Sequence, residues 1–301
     1  MTTQGSLFQL PSGRLLSYSV YEVKPLHQTR WILLSNPLCA SLTIWDDVTE
    51  YLAELGYNVL RYDAPGHGGS EVPTDLSSTT FETVADDVYA LLRHLDIKTL
   101  HAWVGVSFGG ATATTFAARY PGVIERLIVC SVSPYSPINA GTPDIFGQRV
   151  AAARAAGNLD LTIEQTMNRW FLNRLQHNPS LWHNVRESMK TTSLDGFETC
   201  CFALRHPSFD LRRIAAKAGD NVGSALLLVG QYDSLREEME ELKKGIERGQ
   251  RVKSLRSGKG KAPVVELQVV EDAGHVLFVD ALVHFTAIIR RFIDQEIQLL
   301  P

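Results

Sequence analysis

Short apolar, β-branched runs recur along the chain and alternate with longer stretches in which apolar positions return every three or four residues. The short runs lie at Trp31 to Leu34, Asn58 to Arg61, Leu100 to Val104, Arg126 to Cys130, Ala225 to Val229 and Val264 to Val270. Their length and mostly apolar character predict strands buried on both faces, as in a parallel sheet covered by helices. Leu7 to Leu10 and Arg14 to Val20 flank a Pro-Ser-Gly turn and predict an antiparallel hairpin that opens the sheet and completes eight strands.

The clearest helical stretch is Phe81 to Leu95, where Val84, Val88, Leu91, Leu92 and Leu95 form one apolar stripe. Thr79 and Glu82 have capping-box spacing at its start. Ala281 to Ile297 has the same period and predicts the last helix, with four residues beyond it and no further domain fused there. From Ser136 to Leu211 the alternation stops: helix-like segments rich in aromatics, arginines and histidines replace strands. This reads as a helical cap, residues 136–211, inserted into an α/β core of residues 1–135 and 212–301. A cap there would cover the sheet edge whose loops carry binding and catalytic groups. Arg248 to Lys261 holds six basic residues, three glycines and no acid. It predicts a solvated flexible loop, with a docking patch for an acidic partner as the sharper alternative.

Composition narrows the function classes. The 301 residues are 45% hydrophobic and 21% charged, enough to bury a full core. Net charge is −4, so no field of one sign is present to hold nucleic acid or an anionic membrane. The start lacks a basic segment followed by an apolar one, and no run approaches a membrane span, so a cytoplasmic protein acting on small molecules is expected. The four cysteines, Cys39, Cys130, Cys200 and Cys201, have no CxxC spacing, which argues against zinc and against a disulfide framework. They are expected to be reduced and mostly buried, and neither metal nor cofactor is called for.

The chemistry concentrates where Leu100 to Val104 runs into Gly105-Val106-Ser107-Phe108-Gly109-Gly110 and then into the helical pattern Ala111 to Ala118. A serine on a strand-to-helix turn is pushed out of the sheet, and small residues two before and two after it let strand and helix approach. Free N–H groups at the helix start favour developing negative charge. A neutral hydroxyl is a poor nucleophile, so Ser107 needs a base and an acid to orient that base. Asp233 follows the strand Ala225 to Val229, and His275 follows Val264 to Val270, both at the carboxyl edge where Ser107 emerges. Ser, Asp, His is the chain order of α/β hydrolases.

The remaining histidines are less suited. His27 and His101 belong to the opposite edge, His94 and His284 to helices, and His67 to the tight turn Gly66-His67-Gly68, where nearby backbone would satisfy it. His177, His183 and His206 lie in the cap without an assigned acid. Asp272 and Asp280 are the rival acids, too close in sequence to His275 to reach across the edge. Two N–H donors must meet the oxyanion. Phe108 supplies one, and in Ser35-Asn36-Pro37-Leu38-Cys39 proline has no N–H, which leaves Leu38 for the other. Asn36 would either brace this loop or touch substrate. Trp170 is core packing or a wall of the acyl pocket. Arg149 and Arg154 are surface residues unless one of them pairs with a substrate carboxylate.

With these residues in view, the sequence resembles the α/β-hydrolase superfamily and, within it, the 3-oxoadipate enol-lactonase branch, which opens an enol-lactone late in aromatic-compound breakdown. The superfamily likeness rests on GVSFGG, RYDAPGHGGS, GQYD and DAGH. The branch likeness rests on LSNPLCASLTIWDDV with its Trp45, on Arg169-Trp170-Phe171 and on Gly196-Phe197-Glu198-Thr199-Cys200-Cys201. The chain has NPLC where members tend to have NSLG, Pro65 where an arginine is usual, and Phe146 at a cap position where tryptophan is expected. The resemblance implies a serine hydrolase that opens a lactone or cleaves an ester of a small polyfunctional acid, with Phe146 among the substrate-binding residues. A C–C bond hydrolase or product-releasing or cyclising enzyme on the same triad, and a non-catalytic ligand receptor, stay open as alternatives, and oligomeric state is not specified.

Overall fold

A computed structural model describes residues 5–23, 30–172, 178–257 and 264–294. Its strands are β1 (Ser6–Gln9), β2 (Leu15–Tyr21), β3 (Trp31–Ser35), β4 (Asn58–Tyr62), β5 (Leu100–Val106), β6 (Ile124–Cys130), β7 (Ser224–Gly230) and β8 (Val265–Val270). They form one sheet in the order β1-β2-β4-β3-β5-β6-β7-β8. The opening hairpin joins β4 antiparallel, and every pairing from β4 through β8 is parallel. Central β4, β5 and β7 are buried along their whole length, whereas edge strand β8 is mostly half-buried and admits Glu266 and Gln268.

Twelve helices are described: α1 (Asp46–Glu54), α2 (Phe81–His94), α3 (Phe108–Arg119), α4 (Pro137–Ala140), α5 (Ile145–Ala156), α6 (Asp160–Phe171), α7 (Pro179–Lys190), α8 (Leu194–Arg205), α9 (Leu211–Asn221), α10 (Arg236–Arg256), α11 (Leu277–Asp280) and α12 (Leu282–Ile293). Between β6 and β7 the chain forms α4 to α9 and, among the described residues, no strand. An isolated antiparallel bridge, Tyr135 to Asp210, ties the start of this excursion to its return. Within it, α7 and α8 lock onto loops at the carboxyl edge of the sheet. Ser188 bonds Ser41, and the Ser193 N–H donates to the Gly66 carbonyl at 2.9 Å.

Several boundaries differ from the sequence reading, each for a physical reason. Strand β5 continues two residues past Val104, because Gly105 still pairs with Val129 and Val106 with Cys130. Gly105 marks a close approach rather than a strand end: a Cβ there would meet the Gly109 carbonyl oxygen at 2.5 Å. The basic stretch from Arg248 is helical to Arg256, not a loop. Its charges are held by neighbours, Arg251 on Glu247, Arg256 on Asp220 and Lys253 on the Val222 carbonyl. Residues 258–261 of that stretch lie outside the described residues. The helix expected from Ala281 opens one residue later, as α12 at Leu282, with the short α11 just before it, and 295–301 lie outside the described residues.

The capping box of α2 is shifted by one residue. Thr80 is the N-cap and exchanges side-chain-to-backbone bonds with Thr83, whereas the Thr79 hydroxyl is buried against Thr199 at 2.6 Å. Two adjacent threonines made the frame ambiguous, and burial of the first selected the second. Thr80→Ala is therefore expected to lower the unfolding free energy by about 1 kcal/mol, the usual worth of such a cap. Glu82 takes no part in the cap; it is half-buried and accepts from the Ser208 hydroxyl at 3.4 Å, which glutamine can also do, so Glu82→Gln is expected to change the unfolding free energy by less than about 0.5 kcal/mol; urea titration of both variants measures the difference.

Candidate active site

Ser107 sits between β5 and α3 with φ 54° and ψ −116°, a left-handed backbone that a non-glycine residue adopts only when its surroundings enforce it. Those surroundings are visible. The Ser107 N–H donates to the Cys130 carbonyl at 2.8 Å, and the Gly109 N–H donates to the Asn36 carbonyl at 2.9 Å. The Ser35 hydroxyl accepts from Trp103 Nε1 at 2.7 Å and donates to the Gly109 carbonyl at 3.1 Å. The ends of β3, β5 and β6 are thus clamped to the first turn of α3. Phe108 is the first residue of that helix, so its N–H has no intrahelical acceptor, and among the described residues neither it nor the Leu38 N–H donates to another backbone group.

His275 Nδ1 lies 2.8 Å from Asp233 Oδ2. A carboxylate can only accept, so Nδ1 carries the proton and Nε2 is left basic. Burial, the largest single influence, acts to raise the Asp233 carboxyl, but His275, the Ser131 hydroxyl and the Leu235 N–H together hold it below the ordinary carboxylate value. The imidazole is fixed from the cap as well: its backbone N–H donates to the Trp170 carbonyl at 3.0 Å, and the Trp170 ring stacks on it at 5.9 Å between centroids. Trp45 stacks on Phe278, just beyond His275, at 3.8 Å. The rival acids are engaged elsewhere, Asp280 by the Gly274 N–H and Asp272 near Tyr232.

Ser107, Asp233, His275 and Leu38 line one cavity of about 730 Å³. Phe146, Arg149, Arg169 and Trp170 line it from α5 and α6. Arg149 has one Nη bonded to the Thr166 hydroxyl, its guanidinium 5.4 Å from the Phe197 ring centroid, and its other Nη buried without a partner. Trp170 is 2% exposed, and its Nε1 likewise lacks an acceptor. Arg169 keeps an accessible surface, yet desolvation by the surrounding protein, followed by the charge of Arg149, depresses its pKa. Neither arginine has a carboxylate partner among the described residues. Both charges reach Cys39 in the loop after β3. They pull its thiol down, but burial prevails and pushes it up to about 11, so this cavity-lining cysteine is no nucleophile.

Two sequence-level candidates do not belong to this set. Arg154 is one face of the helix away from Arg149 and forms partly exposed ion pairs with Asp195 and Glu198. Asn36 does not line the cavity; it is buried, and its amide donates to the Tyr62 carbonyl at 3.2 Å, bracing the loop. All four cysteines are free and buried. Among the described residues, no group of acidic, histidine and cysteine side chains is arranged to hold a metal ion, and no helix is long and apolar enough to cross a membrane.

Comparison with known proteins places this geometry. The family described by the alpha/beta hydrolase fold matches residues 30–225. The chain belongs to the α/β-hydrolase family. Over 174 residues this α/β hydrolase is 27% and 29% identical to 3-oxoadipate enol-lactonases 2 and 1 of Acinetobacter baylyi, covering 58% of the chain and 62% of each relative. It thus spans less than two thirds of the length of these curated relatives. An enol-lactonase structure from Burkholderia xenovorans LB400 aligns with TM-score 0.79 at 25% identity, over 95% of this chain and 99% of that one. A malate-bound thermophilic esterase from Thermogutta terrifontis, 21% identical over 96% of this chain and 97% of that one, shares the fold with TM-score 0.76.

Sequence reasoning missed Arg169 as a cavity residue of this hydrolase, although it stood beside Trp170; nothing in a helical period tells which arginine turns inward. For His67 it expected satisfaction by nearby backbone, and the ring finds that, with one partner in the loop after β3. Nδ1 of this fully buried ring donates to the Pro65 carbonyl at 2.9 Å, and Nε2 accepts from the Cys39 N–H at 3.0 Å, so the histidine holds the loop that carries Leu38. Desolvation lowers its pKa from 6.5 to about 4, opposed by the bond to Pro65. The unfolded chain therefore binds a proton below pH 6.5 that the folded chain refuses until about pH 4, and stability from the neutral ring, complete above 6.5, is lost as pH falls through that window. In urea titrations the stability gap between wild type and His67→Gln is expected to narrow by about 3 kcal/mol from pH 7.5 to pH 4.

Proposed function

We propose that this α/β hydrolase is a serine carboxylic-ester hydrolase that opens a lactone or cleaves an ester of a small acid bearing a second, free carboxylate. The reading is carried by one observation: the cavity that holds Ser107 and the Asp233-bound His275 is also lined by two arginines, Arg149 and Arg169, that have no carboxylate partner among the described residues. Cationic side chains that line a cavity without a counter-charge favour an anionic ligand, which guanidinium groups meet through charge-assisted bonds. The likeness to enol-lactonases supports the reaction class. Residues 136–211 act as a cap that delivers this recognition to the sheet edge.

In this mechanism His275 Nε2 takes the Ser107 proton as Oγ adds to the carbonyl carbon, and the N–H groups of Leu38 and Phe108 receive the oxyanion. Asp233 holds the imidazole in the productive tautomer and stabilises its cation. Collapse of the tetrahedral adduct breaks the ester C–O bond, and the leaving oxygen takes the proton from His275; in a lactone that oxygen stays on the acyl chain. Water then attacks the acyl-enzyme with His275 as base, and Ser107 leaves protonated. The residues that surround the site supply each step, with no group required from outside the chain besides water.

Ser107→Ala is expected to lower turnover of an activated short-chain ester by at least about a thousandfold with folding intact. A fluorophosphonate is expected to label wild-type chain at Ser107; labelling elsewhere, or full activity in the variant, removes the nucleophile. Stoichiometric binding of lactones without consumption would instead favour a receptor. Arg149→Gln is expected to lower the preference for a dicarboxylic monoester over its uncharged analogue, in kcat/KM, by roughly 10- to 100-fold, the worth of one charge-assisted bond.

A further inference from the structure

The cavity is not uniformly cationic. Arg149 and Arg169 approach it from α5 and α6, but the wall formed by the segment after β6 and the start of α10 carries Ser133, Tyr135, Ser234 and Glu238. Glu238 is half-buried and has no ion-pair partner among the described residues. Arg212, a cation beside Tyr135, is committed to Asp210: it lies 4.4 Å over the Tyr135 ring, and its Nε and Nη2 each reach an Asp210 carboxylate oxygen at 2.8 Å. Burial raises the Tyr135 phenol, and the charge of Glu238 is the next contribution, which places the two side chains within each other's field.

Service to the helix dipole does not account for Glu238. Glu237, in the same first turn of α10, is exposed and supplies that charge without lining the cavity. At about 730 Å³ the cavity falls within the range of roughly 300–1,000 Å³ that takes up drug-sized ligands, so it has room for a group beyond the acid that Arg149 meets.

We propose that Glu238 and Tyr135 form a second, electronegative pole of the cavity that binds a protonated amine, so that the ligand recognised is zwitterionic, with its carboxylate toward Arg149 and its ammonium toward Glu238. This deepens the hydrolase reading and rests on it for the orientation of the acid end. The ammonium donates to the Glu238 carboxylate in a charge-assisted bond, beside Tyr135 on the same wall. The scissile carbonyl lies between the two poles, beside Ser107.

Calorimetry with three isosteric amides that serine hydrolases of esters leave intact tests the pole without turnover: N-(3-aminopropyl)adipamic acid, N-(3-hydroxypropyl)adipamic acid and N-butyladipamic acid. On the wild-type chain the aminopropyl compound is expected to bind about tenfold or more tightly than the butyl one, with the hydroxypropyl compound well below it. In Glu238→Gln the aminopropyl-to-butyl ratio is expected to fall to about one. A wild-type ratio near one overturns the proposal, as does equal binding of the hydroxypropyl compound, a preference that survives Glu238→Gln, or no binding of any of the three. The wild-type comparison needs no variant. Ammonium preference in a chain that cleaves no ester would leave the pole standing and remove the catalytic reading; ester cleavage without the preference would do the reverse.

Discussion

Everything at the carboxyl edge of the sheet depends on one backbone constraint, the left-handed turn at Ser107. A serine does not hold φ near 54° unaided, and here the cost is met by contacts that require atoms to be missing: no side chain at 105 or 109, so that β5, α3 and the end of β3 touch through backbone. The same contacts decide where negative charge can develop. Because the Gly109 N–H is taken by Asn36, and the Cys39 N–H by His67, the donors left at the turn are those of Phe108 and Leu38. Rigidity of this kind is what allows a hydroxyl and two amides to be aimed before any ligand arrives.

The second constraint is exerted from the helices between β6 and β7. Trp170 accepts from the His275 backbone with its carbonyl, stacks on the imidazole with its ring, and lines the cavity. A cap residue thereby helps to fix the base, and the fit leaves little slack, since a Cβ at Gly274 would fall 2.1 Å from the Trp170 carbonyl oxygen. One side chain thus touches both the imidazole and the cavity, and in the proposed reaction it would couple recognition to the position of the base. The charges of the cavity divide by element: among the described residues its arginines come from α5 and α6, and its acids, Asp233 and Glu238, from the segment after β7 and from α10.

Most of the architecture was legible along the chain. Parallel strands must be apolar on both faces, and helices must present one stripe, so local composition marks both and eight strands emerged in their places. That Ser107, Asp233 and His275 come to line one cavity was legible for a related reason: in an α/β sheet, the end of each parallel strand lies at one edge, and position along the sequence becomes position in space. Errors fell where local signals were degenerate. Thr79 and Thr80 offered two frames for one cap, and the basic run from Arg248 was read from its charge although neighbours on α9 and α10 neutralise enough of it for a helix.

Selection among the cap side chains was left to tertiary packing. Arg149, Arg154 and Arg169 are equivalent in composition, yet one is paired with acids outside the cavity and two line it with no carboxylate partner among the described residues. That outcome depends on the rotation of α5 and α6 against α8 and on where acids such as Glu198 come to rest, distances that no periodicity encodes. The same holds for Asn36, drawn from substrate to brace by the Tyr62 carbonyl, and for Glu238, an ordinary first-turn acid until the end of β6 arrives beside it. A chain specifies the elements by the surface each must bury, because that property is local; which polar groups are left facing one another across a cavity follows only once those surfaces have met.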